Sequence, residues 1–324
     1  MLRSMKVRLI GLLLLAFVSL GVFWVGPFNS LLAPERASIA HATSSLPFNQ
    51  YANGPYKVQG NTILGADGKP YIFHGVGRDG FEFICTGPSP LDTPHLALMG
   101  PPISNGVAGG TYWYANTVRL PLSEAFWLRG YSAQNCSASQ YQGAVKSTVD
   151  ALTSLKLNVI IDLQWTDAGG QYNSGHEAAS FEMADSDSVT FWSQVAKAYS
   201  GYSNVLFELL NEPHPQTSSV PNQNIWACWQ NGCQITNDNS IQGTCNCTPS
   251  YPGVGIQTLV NTVRGAGANN LALVAGTNWG FDLSQLGTHP ITGSNIVYDT
   301  HPYTYPGKNT TAEWDAAFGY LTST

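Results

Sequence analysis

The sequence predicts an α/β domain in which a parallel β-sheet is surrounded by helices and bends toward a (β/α)8 barrel of the TIM type. Short apolar runs bounded by turn-forming residues recur along the chain, and segments with apolar residues at i, i+3 and i+4 lie between them. Strands that helices cover on both faces are apolar at nearly every position, as these runs are. The alternation of the two patterns therefore predicts parallel strands with helices outside.

Six apolar runs are predicted to be the strands of this sheet. They span residues 71–76, 117–121, 158–163, 205–210, 271–275 and 296–300. A further run, residues 58–64, is predicted to form a hairpin with the first, because the turn signal Asp67-Gly68 lies between the two. Helices are predicted over residues 141–155, 188–199, 255–266 and 311–321.

A closed barrel of this type has eight strands, whereas the sequence supplies about six. We therefore expect a domain over residues 43–324 that is incomplete at its C-terminus, with about six of the eight β/α units. A doubly wound sheet of six strands fits the count equally well. Such a sheet would bind its ligand at a switch point, and no dinucleotide-binding fingerprint supports that alternative.

Residues 1–42 are predicted to be a secretion signal or an N-terminal anchor. Arg3, Lys6 and Arg8 form a positive segment, an almost wholly apolar run follows over residues 9–25, and Ala40-His41-Ala42 resembles a signal cleavage site. Export with cleavage is favoured, because the apolar run is short for a stable membrane span. We expect a secreted, extracellular protein that contacts a membrane only if the segment stays uncleaved.

The composition disfavours two classes of partner. Only 10% of the residues are charged, and the formal net charge is −6. Without residues 1–42 the chain has 10 basic and 19 acidic residues, a net charge of −9. This excess of acidic groups argues against nucleic acid and anionic membranes as partners.

All six cysteines lie beyond the export segment, at positions 85, 136, 228, 233, 245 and 247. An even number in an exported chain predicts disulfides. The cluster from Cys228 to Cys247 superficially resembles a zinc site, but its spacings do not match the usual C-x2-C pairs. We interpret it as a stapled loop that could wall one side of a cleft, and we expect Cys85 and Cys136 to pair separately.

Polar side chains follow the predicted strands at their carboxyl ends, where a barrel gathers its catalytic groups. They are Arg119, Asp162, Gln164, Trp165, Asn211, Glu212, Asn278, Trp279, His301 and Tyr303. The sharpest case is Asn211-Glu212-Pro213, because proline cannot extend the ladder and so ends the strand there. An amide donor beside a proton-transferring carboxyl predicts acid/base chemistry at this mouth.

Some of these residues also have a purely structural interpretation. Arg119 could be the buried partner of Glu208, since buried charges need pairing. Trp279 could simply pack in the interior. His301 could be a core histidine, although Tyr303 on the same strand face favours a site.

The motifs resemble those of glycoside hydrolase family 5, the cellulase and mannanase group. The resemblance rests on Leu-Leu-Asn-Glu-Pro-His at residues 209–214, on His301-Pro302-Tyr303, on the arginine within residues 117–121, and on the lead-in hairpin that ends at Gly75. It covers the chain from about residue 55 to the end.

The resemblance implies a role for each matching residue. Glu212 would be the general acid/base of a retaining mechanism, and Asn211 would bind the 2-hydroxyl of the sugar at the cleavage point. His301 and Tyr303 would hydrogen-bond substrate and nucleophile, and Arg119 would keep the nucleophile ionised and oriented.

Two further residues complete the predicted substrate-binding set. Trp279 resembles a sugar-stacking platform. Gln164 stands where the family usually has a histidine, so we expect it to hydrogen-bond sugar hydroxyls without titrating. This chemistry requires no metal ligand and no organic cofactor. The other candidate stacking residues are Trp113, Trp127, Trp226 and Trp229.

The family's nucleophile is a glutamate at the end of strand seven, which the sequence is predicted to lack. A retaining mechanism needs two carboxyl groups about 5–5.5 Å apart. Glu208 lies four residues before Glu212, about 13 Å away at about 3.3 Å per residue, which is too far. Asp299 is a weaker alternative, because it sits two residues short of the level of His301.

We therefore expect a secreted, monomeric endo-β-1,4-glucanase that hydrolyses β-glucan by double displacement. β-Mannan is the alternative polysaccharide substrate, because one fold hosts many specificities. The chain could instead be a catalytically incompetent fragment that only binds saccharide, with the edges of its first and sixth strands open to aggregation.

Overall fold

In a computed structural model, the described part of the chain comprises residues 49–104, 106–107, 109–171, 180–238, 248–304 and 306–323. All of it belongs to one compact unit, Ser45–Thr324. The predicted export segment lies outside the described residues, as do Cys245 and Cys247. No helix within the described ranges is long and apolar enough to cross a membrane.

Ten strands occur in these ranges. They are β1 (Lys57–Gln59), β2 (Thr62–Leu64), β3 (Gly75–Gly77), β4 (Thr117–Ser123), β5 (Asn158–Trp165), β6 (Val205–Glu208), β7 (Gly232–Ile235), β8 (Tyr251–Val254), β9 (Ala272–Ala275) and β10 (Ile296–Asp299). Six of them form one parallel sheet in the order β10-β9-β6-β5-β4-β3. Because the strands follow chain order without a switch point, the sheet is part of a (β/α)8 barrel and not a doubly wound sheet.

The centre of the sheet is the pair β4 and β5. Their register joins Thr117 to Asn158 and Leu122 to Leu163. Most residues of both strands are buried and none is exposed, as their continuous apolar runs predicted. Since all six strands are parallel, their carboxyl ends meet at one edge of the sheet.

Helices lie between the strands. They are α1 (Thr93–Leu96), α2 (Glu124–Arg129), α3 (Ala138–Ser154), α4 (Ser186–Tyr199), α5 (Ile225–Asn231), α6 (Ile256–Gly265), α7 (Thr277–Gly280) and α8 (Thr311–Ala317). The four predicted helices correspond to α3, α4, α6 and α8. α3 begins at a capping box in which Ser137 and Gln140 each accept the other's backbone N–H. Its face of Val145, Val149 and Leu152 is fully buried.

The hairpin at the amino end of the domain differs from the prediction. Residues 58–64 contribute to two strands, not one, and β1 pairs antiparallel with β2 around Gly60, whose φ is +58°. The turn at Asp67-Gly68 is closed by an isolated bridge between Leu64 and Pro70, by the N–H of Gly65 on the carbonyl of Lys69 at 2.9 Å and by the N–H of Tyr71 on the carbonyl of Ile63 at 2.8 Å. Pro70 itself has no N–H to donate to that ladder, and the next strand, β3, begins only at Gly75 and pairs in parallel with β4.

The long segment after β6 folds into α5 and the antiparallel ribbon of β7 and β8. A disulfide between Cys228 and Cys233 ties α5 to β7, and a second joins Cys85 to Cys136. The separate pairing of Cys85 with Cys136 is thereby confirmed. The two described cysteines of the suspected zinc cluster are bonded to each other, which agrees with a stapled loop.

Candidate active site

The structure brings the predicted polar residues together at the carboxyl edge of the sheet. Arg119 lies on β4, Gln164 lies on β5, and Asn211 and Glu212 follow β6. His301 follows β10, two residues before Tyr303. For Gln164, Asn211, Glu212 and His301 this common mouth is a consequence of strand polarity, because each lies at or just beyond the carboxyl end of its strand. Arg119 differs, since it is the third residue of β4, but its long side chain contacts Gln164 and Asn211.

An ion pair between the half-buried Arg119 and the buried Glu208 forms the floor of this site. Nε of Arg119 donates to Oε2 of Glu208 at 2.7 Å, and Nη2 donates to Oε1 at 2.7 Å, so the contact is bidentate. Burial raises the pKa of Glu208, but Arg119 outweighs burial and lowers that pKa to about 2. Arg119 is thus both the partner of Glu208 and a lining residue of the mouth.

The same guanidinium orients two amides. Nη2 of Arg119 donates to Oδ1 of Asn211 at 2.7 Å, and Nη1 donates to Oε1 of Gln164 at 3.2 Å. A guanidinium has donors only, so both amides must turn their oxygens toward it and their NH2 groups away. Asp162 completes the contacts, with Oδ2 3.0 Å from Nη2. Burial raises the pKa of Asp162 well above its usual range despite this contact.

One oxygen of Glu212 accepts hydrogen bonds from two side chains. Nδ1 of His301 donates to Oε1 at 3.0 Å, and the hydroxyl of Tyr303 donates to the same atom at 3.1 Å. The side chain of Glu212 is 17% exposed, so a ligand in the mouth can reach it. The site is therefore built from the ends of β6 and β10, which are separated by β9 in the sheet.

These contacts set the charges of the pair at neutral pH. Burial raises the pKa of Glu212, but the hydrogen bonds from His301 and Tyr303 outweigh burial and hold this pKa below its usual value. Burial lowers the pKa of His301, but hydrogen bonds to the three carboxyl groups around it raise the pKa to about 12. An imidazolium thus stands beside a carboxylate.

Asp299 does not face Glu212 directly. Its Oδ2 lies 3.3 Å from Nε2 of His301, whereas Nδ1 of the same ring contacts Glu212. The imidazole therefore stands between the two carboxyl groups. Glu208 also lies on the Nε2 side of the ring, at 3.6 Å.

Trp279 is fixed at the edge of the mouth by an aromatic stack. Its indole lies parallel to the imidazole of His214, with ring centroids 3.4 Å apart and an interplanar angle of 8°. Nδ1 of His214 donates to the backbone carbonyl of Glu212 at 2.5 Å. Burial lowers the pKa of His214 to about 4, so the ring is neutral. The position of Trp279 is thus linked directly to the strand end that carries Glu212.

The other tryptophans proposed for stacking do not line the mouth. Three are buried and one is exposed, with accessible fractions of 4% for Trp127, 7% for Trp226, 0% for Trp229 and 67% for Trp113. Trp113 precedes β4 and so lies at the opposite, amino end of the sheet. Burial leaves Trp127, Trp226 and Trp229 little surface for a sugar, and composition alone does not distinguish such core indoles from an exposed one.

Two groups of side chains have the geometry of metal ligands. One consists of Glu208, Asp299 and His301, and the other of Glu124, Asp167 and Asp185, with the ligand atoms of each group within 4.8 Å of one another. In the first group the cation beside the carboxylates is Arg119. In the second it is Arg129, which forms an ion pair with Asp167. In each group, a carboxylate is therefore already paired with a protein cation.

Sequence reasoning missed His214 and Lys308. His214 was visible in the motif Pro213-His214 but carried no separate signal for stacking. Lys308 is buried, and its ammonium donates to the backbone carbonyl of Asn278 at 2.7 Å. Lys308 and Asn278 are 30 residues apart in the chain, and no sequence pattern indicates a contact between them.

The sequence and the structure are similar to those of known proteins. A sequence profile described as "Cellulase (glycosyl hydrolase family 5)" matches residues 107–323. A manganese dependent endoglucanase, Eg5A, of Phanerodontia chrysosporium is 26% identical over 293 residues, which is 86% of this chain and 61% of that protein. An endoglucanase of Clostridium saccharobutylicum is 22% identical, over 77% of this chain and 43% of that protein. The chain thus spans about half the length of these relatives.

Solved structures share the fold. The β-glucanase SdGluc5_26A from Saccharophagus degradans, in complex with cellotetraose, superimposes with a TM-score of 0.59 at 22% identity, over 86% of this chain and 73% of that one. An endocellulase from Pyrococcus horikoshii, also in complex with cellotetraose, gives a TM-score of 0.54 at 17% identity, over 84% of this chain and 78% of that one. At these identities the likeness shows the fold alone.

Proposed function

The chain belongs to glycosyl hydrolase family 5, and on that premise we propose that its mouth is an endoglucanase site for β-1,4-glucan in which Glu212 transfers the proton. The relatives named above are endoglucanases, which supports glucan rather than mannan as the polymer. The observation that carries the proposal is the convergence of His301 and Tyr303 on one oxygen of Glu212, at the carboxyl end of β6.

Each residue of the mouth has a proposed role. Glu212 donates its proton to the leaving glycosidic oxygen and, after the aglycone departs, accepts one from water. Asn211 and Gln164, oriented by Arg119, offer their amide hydrogens to hydroxyls of the sugar at the cleavage point. Trp279 lies beside the sugar chain, where its indole can pack on a pyranose face.

Retaining hydrolysis also needs a carboxylate about 5–5.5 Å from Glu212 to attack the anomeric carbon. Among the described residues, Asp162 and Glu208 are engaged by Arg119, and Asp299 is separated from Glu212 by His301. None of these three is open toward Glu212. We therefore propose that the 324-residue chain binds β-glucan with the acid/base in place, and that double displacement requires a further carboxylate.

The first experiment is a binding and hydrolysis assay on soluble β-glucan. The 324-residue chain should bind the polymer and release few or no reducing ends, and Arg119→Met should lose binding because both amides lose their orientation. Rapid hydrolysis by the chain, abolished in Asp299→Asn, would instead identify Asp299 as the second carboxylate. No binding to any β-glucan would refute the proposed substrate.

We further propose that residues 1–42 direct export of the protein and that the remainder acts outside the cell as a monomer. The positive segment, the apolar run and the cleavage-like Ala40-His41-Ala42 support export. Expression of the full chain in a secretion-competent host tests this, because N-terminal sequencing of the supernatant protein should begin near residue 43. Retention of an intact N-terminus in the membrane fraction would contradict cleavage.

A further inference from the structure

Glu182, in the segment that precedes α4, is a fully buried glutamate that takes no part in the proposed proton transfer. It contacts the loop of residues 214–219, which lies beyond β6. Its backbone carbonyl accepts the N–H of His214 at 3.0 Å. Oε2 of its carboxyl group accepts the N–H of Gln216 at 2.9 Å and also the hydroxyl of Ser219. One residue therefore holds this loop at three points.

Glu182 is itself fixed by the ribbon of β7 and β8. Its N–H donates to Oδ2 of Asp238, just beyond β7, at 2.8 Å. The hydroxyl of Tyr251, the first residue of β8, lies 3.0 Å from the same oxygen. Asp238 and Tyr251 are both buried, so neither contact competes with bulk water. The ribbon is thus a firm support from which Glu182 holds the loop.

The first residue of the loop connects this support to the mouth. The imidazole of His214 donates to the backbone carbonyl of Glu212 and stacks on the indole of Trp279. A shift of the loop would therefore move two parts of the mouth together, the strand end that carries the proposed acid/base and the proposed stacking surface.

The carboxyl group of Glu182 is buried at a cost. Its Oε1 has no hydrogen-bond partner among the described residues. The titratable groups packed around it are Asp238 and Tyr251 from the ribbon and His214 from the loop. None of these supplies a cation at neutral pH, since His214 has a pKa of about 4.

The ionisation of Glu182 should change the strength of these contacts. Burial raises the pKa of Glu182 to about 7, although the hydrogen bonds from Ser219 and Gln216 oppose this shift. A charged acceptor binds N–H and O–H donors about twice as strongly as a neutral one. The loop is therefore held more firmly as pH rises through neutrality.

We propose that Glu182 is a positioning residue for the mouth, which holds the loop of residues 214–219 so that His214 stays against Trp279 and the carbonyl of Glu212. Glu182 acts only through the loop and does not touch the saccharide. The proposal rests on the proposed function, because the parts that it positions are the proposed acid/base and stacking surface.

The first measurement follows the His214 ring by NMR during a pH titration of the full chain with labelled histidines. In the parent its pKa should be about 4, because the ring is buried. Glu182→Ala should release the loop and raise this pKa toward 6.5, the usual value. Glu182→Gln keeps an oxygen acceptor and should leave it near 4. The matched control is Asp150→Ala, which removes an exposed carboxylate from Lys146 and Tyr202 and should change nothing at His214.

Two further features of the titration are specific to this role. In the parent, the His214 signals should show a second inflection near pH 7 from the ionisation of Glu182, and Glu182→Gln should abolish it. Ser219→Ala removes one of the three contacts and should raise the His214 pKa by less than Glu182→Ala does. If Glu182→Ala does not fold, an unchanged His214 pKa in Ser219→Ala overturns the proposal.

The second measurement is β-glucan binding by calorimetry at mildly alkaline pH, where Glu182 is ionised. Glu182→Ala should weaken binding about ten-fold, because the indole of Trp279 loses its support. Glu182→Gln and Asp150→Ala should change the dissociation constant by less than about two-fold. Urea unfolding of each variant, measured in parallel, identifies the folded fraction.

The outcomes separate this proposal from the proposed function. If the parent binds β-glucan and Glu182→Ala binds it equally well, the positioning role is overturned and the glucan site stands. A His214 pKa that stays near 4 in Glu182→Ala, or that rises equally in Asp150→Ala, also overturns that role. Failure of the parent to bind any β-glucan removes the proposed function, and the positioning role with it.

Discussion

His301 Nδ1 lies 3.0 Å from Glu212 Oε1, and the same imidazole presents Nε2 to Asp299 at 3.3 Å. One ring thus connects the carboxyl that follows β6 with the carboxyl at the end of β10. The contact makes His301 a cation and Glu212 an anion in the resting site. For the acid half of a proton-transfer cycle Glu212 must therefore take up a proton, and its environment favours the base form.

The charge on His301 should be visible as pH-dependent stability. Its pKa is about 12 in the folded chain against 6.5 for an unperturbed histidine, so between those values the folded state binds the additional proton. The stabilisation is complete below pH 6.5 and is lost as pH rises toward 12. Urea unfolding at increasing pH should show the free energy of unfolding falling by up to about 1.4 kcal/mol per pH unit.

The comparison for this effect is His301→Gln. In that variant the free energy of unfolding should no longer fall as pH rises. It should still fall at acid pH, where the carboxylates of the site become protonated. An identical slope in both proteins would assign the extra proton to another group.

Arg119 should be a major contributor to stability. Arg119→Met leaves Glu208 and Asp162 buried without their cation and should lower the free energy of unfolding by about 3–5 kcal/mol. Arg119→Lys keeps the charge but not the bidentate geometry, so its loss should be smaller. Arg78→Met, which removes only three long contacts of 3.4–3.5 Å to backbone carbonyls, should change stability by less than about 0.5 kcal/mol in the same urea titration. Equal stability of the Arg119→Met and Arg78→Met proteins would contradict a buried pair.

Gly280 should be intolerant of a side chain. Its φ is +69°, and a Cβ there would lie 3.0 Å from Cγ of His301. Gly280→Ala should therefore cost about 1–3 kcal/mol of stability and displace His301 from Glu212. Gly143→Ala is the matched control, because this helical position has open space and should become more stable by about 0.5–1 kcal/mol. Thermal unfolding of both variants checks the difference, and equal shifts would refute the close packing on His301.

Metal removal should have no effect on the site. The two clusters of side chains with ligand-like geometry already form ion pairs, one with Arg119 and the other with Arg129. Dialysis against a chelator and addition of Mn²⁺ should leave glucan binding and the melting temperature unchanged. A stabilisation by Mn²⁺ that grows with its concentration, as mass action requires of a bound ligand, would show that a metal competes with these cations.

The sequence predicted the fold well where periodicity and burial agree. The runs around Val118, Ile161 and Phe207 form neighbouring strands. Their side chains are apolar on both strand faces, and a parallel sheet covered by helices buries both faces. The residues at the strand ends were predictable for the same reason, since strand polarity alone gathers them.

The failures concern contacts that depend on tertiary geometry. The split of residues 58–64 at Gly60 was missed because a two-residue turn needs only a glycine in the left-handed conformation. The stronger turn signal at Asp67-Gly68 was interpreted as the only turn of the hairpin. Burial of Trp127 and Trp229 could not be read from residue type. The stack of Trp279 on His214 joins segments 65 residues apart and has no sequence signature.

The central claim, that Glu212 supplies the proton to the leaving oxygen, is tested most directly by chemical rescue. Azide added to the 324-residue chain can take the place of an attacking carboxylate: its nitrogen bonds to the anomeric carbon, the glycosidic bond breaks, and Glu212 protonates the departing oxygen. With phenyl β-cellobioside at mildly acidic pH, azide should release phenol from the chain. Glu212→Gln should lower that rate by about 10²–10⁴-fold. With dinitrophenyl β-cellobioside, whose leaving group needs no proton, the same substitution should leave the rate of release nearly unchanged. Equal phenol release by both proteins would contradict the account.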